Sequence, residues 1–96
     1  MTINKIKNGD TLTIALEGKL DTMTAPQLEA ALKESMGGIE ELVFDFEKLD
    51  YVSSAGLRVL LYAHKTMAGR MKLIHVGELV MEVLEVTGFS DILTIE

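Results

Sequence analysis

The chain has no cysteine and no tryptophan, a single proline, and aromatic residues at only 5% of its 96 positions. Without cysteine, neither a disulfide framework nor a thiolate metal site is possible. With only Pro26, rigid breaks in the backbone are few. Long apolar runs are missing too. The longest clean one, Val59 to Ala63, is broken by His64 and Lys65. It falls far short of the roughly 18 residues a membrane-spanning helix needs, so membrane insertion is not expected. "MTINKIKNGD" carries no apolar signal core, and a cytoplasmic location is expected. Positive charge is scarce: 9 basic residues against 15 acidic ones give a net charge of -6. Such a surface repels phosphate backbones and anionic lipid, which disfavours direct nucleic-acid binding. An acidic domain of this size is expected to meet other proteins.

Hydrophobic residues make up 48% of the chain, enough for the core of a single domain spanning residues 1–96. "TINKIK" alternates, with Ile3 and Ile6 as inward candidates, and Asn8-Gly9 marks a tight turn. "TLTIALEG" alternates cleanly, placing Leu12, Ile14 and Leu16 on one face of a half-buried strand. A helix follows in "TAPQLEAALKES". Thr24 and Gln27 have capping-box spacing, and Pro26 sits in the first turn. "ELVFDF", Glu41 to Phe46, reads as a buried strand. From Ala55 onward Leu57, Leu60, Leu61 and His64 recur at helical spacing, with Gly69 as a stop. Lys72 to Val76 is a further strand, "ELVMEVLEVTGF" a last helix with Gly88 as its left-handed cap, and "DILTIE" a short closing edge strand. The order β-β-α-β-α-β-α-β predicts an α/β fold. Its mixed sheet has four or five strands, an antiparallel N-terminal hairpin followed by parallel strands, and helices packed mainly on one face.

In such sheets function sits where strand ends meet helix starts. "DYVSSAGLRVLL" is such a junction. Ser54 falls at or near the helix N-cap, where its hydroxyl would be worth about 1 kcal/mol against alanine. The same position would tolerate a phosphate, because a helix start offers free N–H groups and positive partial charge. Gly56, without a side chain, would let a partner's backbone or a nucleotide approach closely. Catalysis by the serine has little support. His64 is nearly three turns further along the helix, roughly 15 Å away at 1.5 Å per residue, and His75 closes a different strand. Neither a metal-ligand set nor a phosphate-binding loop motif is present, so no cofactor and no metal are expected. Asp21, in "GKLDTMT", hydrogen-bonds local turn amides, or lies beside the serine loop if the two strand ends are neighbours. Asp45, inside an apolar strand, needs partners. Backbone amides of the adjacent turn are favoured, and indirect shaping of the serine loop comes second. Met23 is set apart from the core methionines as exposed contact area.

The stretches "GKLDTMTAPQLEAAL", "LVFDFEKLDYVSSAGLRVLLYAHK", "MKLIHVG" and "VLEVTGFSDILTIE" together resemble the STAS domain of bacterial anti-sigma factor antagonists, over essentially the whole chain. The resemblance implies a small switch protein. Unphosphorylated, it binds an anti-sigma factor that is also a serine kinase and so releases the sigma factor. Phosphorylation by that kinase weakens the complex, and a serine phosphatase resets it. It further implies Ser54, two places before Gly56, as phosphoacceptor and Asp21 as part of the partner-facing surface. Met23, Ser53, Ala55 and Gly56 complete the expected contact set, on a monomer or weak dimer. Ser53 stands where the family often has aspartate and adds a second hydroxyl. The rival expectation is a non-phosphorylated STAS subunit of a larger assembly, such as a transporter accessory subunit or a signalling scaffold.

Overall fold

The computed structural model describes residues 1–96. Nine elements follow in order: β1 (Thr2–Asn8), β2 (Thr11–Leu20), α1 (Ala25–Ser35), β3 (Glu41–Val52), α2 (Ser54–Thr66), β4 (Met71–Ile74), α3 (Glu78–Val86), a 3₁₀ turn (Phe89–Asp91) and β5 (Thr94–Ile95). The five strands lie side by side in chain order, β1 antiparallel to β2 and the rest parallel. Three successive crossovers therefore step in one direction across the sheet. Because each is right-handed, all three helices land on the same face. The expected architecture is the observed one.

The helix-covered face holds one continuous core. Ile14, Leu16, Leu20, Phe44, Phe46 and Leu73 from the strands meet Leu28 and Leu32 of α1, Leu60 of α2 and Leu84 of α3, all fully enclosed. The far face of β2 carries Thr11, Thr13 and Ala15, half-buried at most. Ile6 belongs to that far face and not to the core. It pairs with Thr13 and is 61% exposed. Ile3 and Ile6 are an odd number of residues apart, so a pleated strand cannot turn both inward. The β1–β2 loop is Gly9-Asp10, one residue on from the expected Asn8-Gly9: Asn8 pairs with Thr11, and Gly9 supplies the positive φ, 64°.

β3 is twice as long as its alternation indicated. It continues past Phe46 to Val52 through two bulges. Ala15 to Glu17 on β2 faces Asp45 to Lys48 on β3, and Gly18-Lys19 faces Leu49 to Tyr51. Each bulge inserts one extra residue. Buried positions then fall at Phe46, Leu49 and Val52, three apart. β4 is shorter than expected, ending at Ile74, because His75 turns to φ 56°. Gly88 takes the left-handed conformation expected of it, with φ 82°. The capping box at α1 is not formed. Thr24 is the N-cap residue, but its hydroxyl makes no cap bond. That hydroxyl donates instead to the Lys19 carbonyl at 2.8 Å and accepts from the Asp21 amide at 2.8 Å.

Candidate functional site

β2 and β3 end level with each other, Leu20 beside Val52, so the β2–α1 and β3–α2 connections are neighbours. One backbone bond joins them: the Ser53 amide donates to the Leu20 carbonyl at 2.8 Å. One side-chain absence lets them close up. A Cβ on Gly56 would lie 2.7 Å from Leu20 Cγ and 3.0 Å from the Leu20 carbonyl oxygen. Gly56 is buried, and the space its missing side chain leaves is filled by Leu20 of the same chain. The expectation that this glycine opens the site to a partner is thus corrected. It seats the serine loop against the residue preceding Asp21.

The N-cap of α2 is Ser53, one residue before the expected position. Its backbone is extended (φ -97°, ψ 175°), and its hydroxyl accepts from the Gly56 amide at 3.4 Å. The Ser53 carbonyl takes the first helical bond, from the Leu57 amide at 2.9 Å. Ser54 is therefore the first residue inside the helix. Its side chain is exposed and makes no hydrogen bond, and the amides of Ser54 and Ala55 have no backbone partner. The first turn carries no acidic side chain. A free hydroxyl thus stands at the positive end of a helix dipole, on backbone held by its neighbour's cap.

Asp21 makes the local turn its residue type suggests. One carboxylate oxygen accepts from the Met23 amide (3.0 Å) and the Thr24 amide (3.1 Å), and the Thr24 hydroxyl, 3.1 Å away, shares its one proton between this oxygen and the nearer Lys19 carbonyl. Desolvation pushes this carboxyl up. The bonds from Thr24 and Met23, with the Lys19 charge, outweigh it and hold the group below the usual aspartate range. The turn directs Met23 outward, 83% exposed. Between the starts of α1 and α2 lies a cleft of about 220 Å³, lined in part by Thr22, Pro26, Glu29, Ala55 and Arg58. Ala55 therefore faces a concave surface. Arg58, exposed one turn after Ser54, was not singled out in the sequence; only its i+4 spacing from the serine signals it.

Asp45 finds the backbone partner expected, the Glu47 amide at 3.0 Å in the first bulge. It also has a partner that the sequence did not reveal, His75 Nδ1 at 3.0 Å. Desolvation raises the Asp45 carboxyl, but the Glu47 amide and His75 more than offset it, and it lies below its ordinary value. The hydrogen bond to Asp45, and then its charge, push the His75 imidazole up. This pair ties the residue just after β4 to the middle of β3 and makes no hydrogen bond with the serine loop. His64 lies near the far end of α2, well away from Ser54.

The family model for the STAS domain matches residues 2–96. The chain belongs to the STAS domain family. BtrV of Bordetella bronchiseptica, a protein assigned as an anti-sigma factor antagonist, is 39% identical over 97 residues, covering 96% of this chain and 81% of the relative. The anti-sigma-B factor antagonist of Listeria monocytogenes is 31% identical over 97 residues, covering 96% and 84%. SpoIIAA has been solved in unphosphorylated and phosphorylated forms. These match this STAS domain with TM-scores of 0.73 and 0.75 at 21% identity, over 99% of this chain and 87% and 91% of theirs. At that identity the likeness is one of fold. No helix of this STAS domain is long and apolar enough to cross a membrane.

Proposed function

We propose that this STAS domain is an anti-sigma factor antagonist switched by phosphorylation of Ser54. The observation that carries the reading is the exposed, unbonded Ser54 hydroxyl at the free N-terminus of α2, in a loop tied to Asp21 and Met23. Relatives named as antagonists and the SpoIIAA fold, known in a phosphorylated form, support it. In the unphosphorylated state the Ser54 rim, the exposed Met23 and the cleft beside Ala55 form the face that binds the anti-sigma factor. The partner, a serine kinase holding ATP, directs its γ-phosphorus at Ser54 Oγ. The new P–O bond forms as the bond to ADP breaks, and the hydroxyl proton leaves to a base of the kinase. The product dianion sits well on the helix end, so the free domain keeps its fold. Within the complex the same charge is desolvated and the face no longer fits. A serine phosphatase removes it and restores binding. Ser53 is the poorer acceptor, because it is half-buried and its oxygen is engaged with the Gly56 amide.

Ser54→Glu should melt like the wild type yet bind the anti-sigma partner roughly 30- to 4,000-fold more weakly, the cost of a mischarged buried contact. Ser54→Ala should bind normally and stay bound when ATP is added. Intact mass after incubation with partner and ATP should show one phosphate, absent from Ser54→Ala, and titration calorimetry gives the affinities. Wild-type affinity for Ser54→Glu, or a phosphate that persists in Ser54→Ala, would refute the assignment.

A further inference from the structure

The sequence of α3 is apolar on more sides than the domain covers. Val80 and Leu84 face the core. Leu79, Val83 and Val86 form a second stripe at i, i+4 and i+7, and Leu79 and Val86 remain 70% and 81% exposed. A helix that is apolar on two sides is normally buried on two sides. The neighbouring strand explains why this stripe lies bare. β4 ends at Ile74, opposite Asp45, so β3 from Phe46 to Val52 has no strand on that side. α3 lies alongside it, leaving a groove of about 340 Å³ between Tyr51, itself 46% exposed, and the outer stripe of α3.

Charge decides what fits this groove. Asp50 and Glu82 line it, Glu78 and Glu85 flank them on the exposed surface, and none of the four takes part in an ion pair. α3 contains no basic residue. A second copy docked through the same face would bring one acidic rim against another. An anionic membrane would be repelled. A partner helix with an apolar seam flanked by Lys or Arg would bury Leu79, Val83, Val86 and Tyr51 and neutralise the acidic rim, as flanking charges do along a coiled-coil seam. We infer that the outer face of α3 and the end of β3 form a second docking surface, taking a basic amphipathic helix of a partner protein. This surface is independent of the phosphorylation of Ser54.

The test uses two synthetic amphipathic peptides of about five turns. They share a leucine seam but carry either Lys or Glu at the flanking positions. Each is titrated into ¹⁵N-labelled full-length protein. The Lys peptide should shift the amide signals of Tyr51, Leu79, Val83 and Val86, and binding should weaken as salt rises. The double variant Leu79→Ser, Val86→Ser should lose about tenfold or more in affinity through the lost apolar burial. Glu82→Lys, which keeps the apolar stripe intact, should also weaken the Lys peptide. Ser54→Glu should bind it as the wild type does. The inference is overturned if these four signals stay still, if the Glu peptide moves them equally, or if they move with protein concentration alone, which would make a second copy the occupant.

Discussion

Replacing Gly56 with alanine sets two effects against each other, and the structure supplies the sign. In an exposed helix the change would stabilise by about 0.8–1 kcal/mol, the difference in helix propensity. Here the added Cβ would lie 2.7 Å from Leu20 Cγ, and 3.0 Å from both Leu20 Cδ2 and the Leu20 carbonyl oxygen. Leu20 is fully buried, so its side chain has no free volume to enter, and the carbonyl is backbone holding the Ser53 amide. Overpacking of this kind costs roughly 1–3 kcal/mol. With backbone among the crowded atoms, the upper half of that range applies. The net expectation is a loss of about 1–2 kcal/mol, a fall in melting temperature on the order of 4–16 °C for a domain this small. The displacement also enters the site, because Leu20 adjoins Asp21. Gly56→Ala should therefore weaken partner binding beyond what its unfolded fraction explains. Gly37→Ala is the control, since a Cβ there meets nothing within 4 Å. Urea melts of both variants, with calorimetric titration of the folded fraction, test this. A Gly56→Ala protein as stable as the wild type would refute the close approach of α2 to Leu20.

Ser53→Ala should cost about 1 kcal/mol, the value of the helix cap, whereas Ser54→Ala should stay within about 0.5 kcal/mol, and urea melts separate the two. Leu60→Ala, at a fully enclosed position, should cost roughly 2–5 kcal/mol in the same assay. In an NMR pH titration His75 should deprotonate above the ordinary histidine value of about 6.5, and Asp45→Asn should bring it back down. His75 is raised in the folded state, so its contribution to stability is complete below that ordinary value and disappears as pH rises through the folded one. Asp45 is lowered, so its contribution is present above the ordinary aspartate value and disappears as pH falls through the folded one. A pH profile of stability unchanged by Asp45→Asn would contradict the pair.

Most of the fold was legible because its signals are local. Leu12, Ile14 and Leu16 alternate, Leu57 and Leu60 keep helical spacing, and glycines stand at turns. The second half of β3 was not, because two bulges space its buried residues by three, a pattern that imitates neither a plain strand nor a helix. The caps were misplaced by competing local bonds at Thr24 and by backbone conformation at Ser53. The Asp21 carboxylate and the Lys19 carbonyl take up the groups of Thr24, and extended backbone at Ser53 gives it the cap that Ser54 was expected to hold. The residues of the proposed site, Ser54, Asp21 and Met23, could be named from strand-to-helix junctions. Their joining through Leu20 and Gly56 could not, since it depends on an atom glycine lacks. The pairing of His75 with Asp45 was not legible either, because the two lie thirty positions apart.

The order of strands across the sheet also has a bearing on how the chain comes to be folded. Each strand lies beside the one made just before it, so no segment waits for a distant partner to be synthesised. The hairpin can form first, and every later strand-and-helix unit docks onto an edge already laid down. Pairing each strand with its predecessor keeps every parallel closure to about thirty residues (Thr11 with Glu41, Leu42 with Met71), the least loop-closure entropy this topology allows. A chain leaving the ribosome would present one growing edge at a time and would shield it with the next unit within seconds at ordinary rates of synthesis. Stopped-flow refolding of the full chain should accordingly be single-phased, and a dominant slow phase would contradict this assembly order.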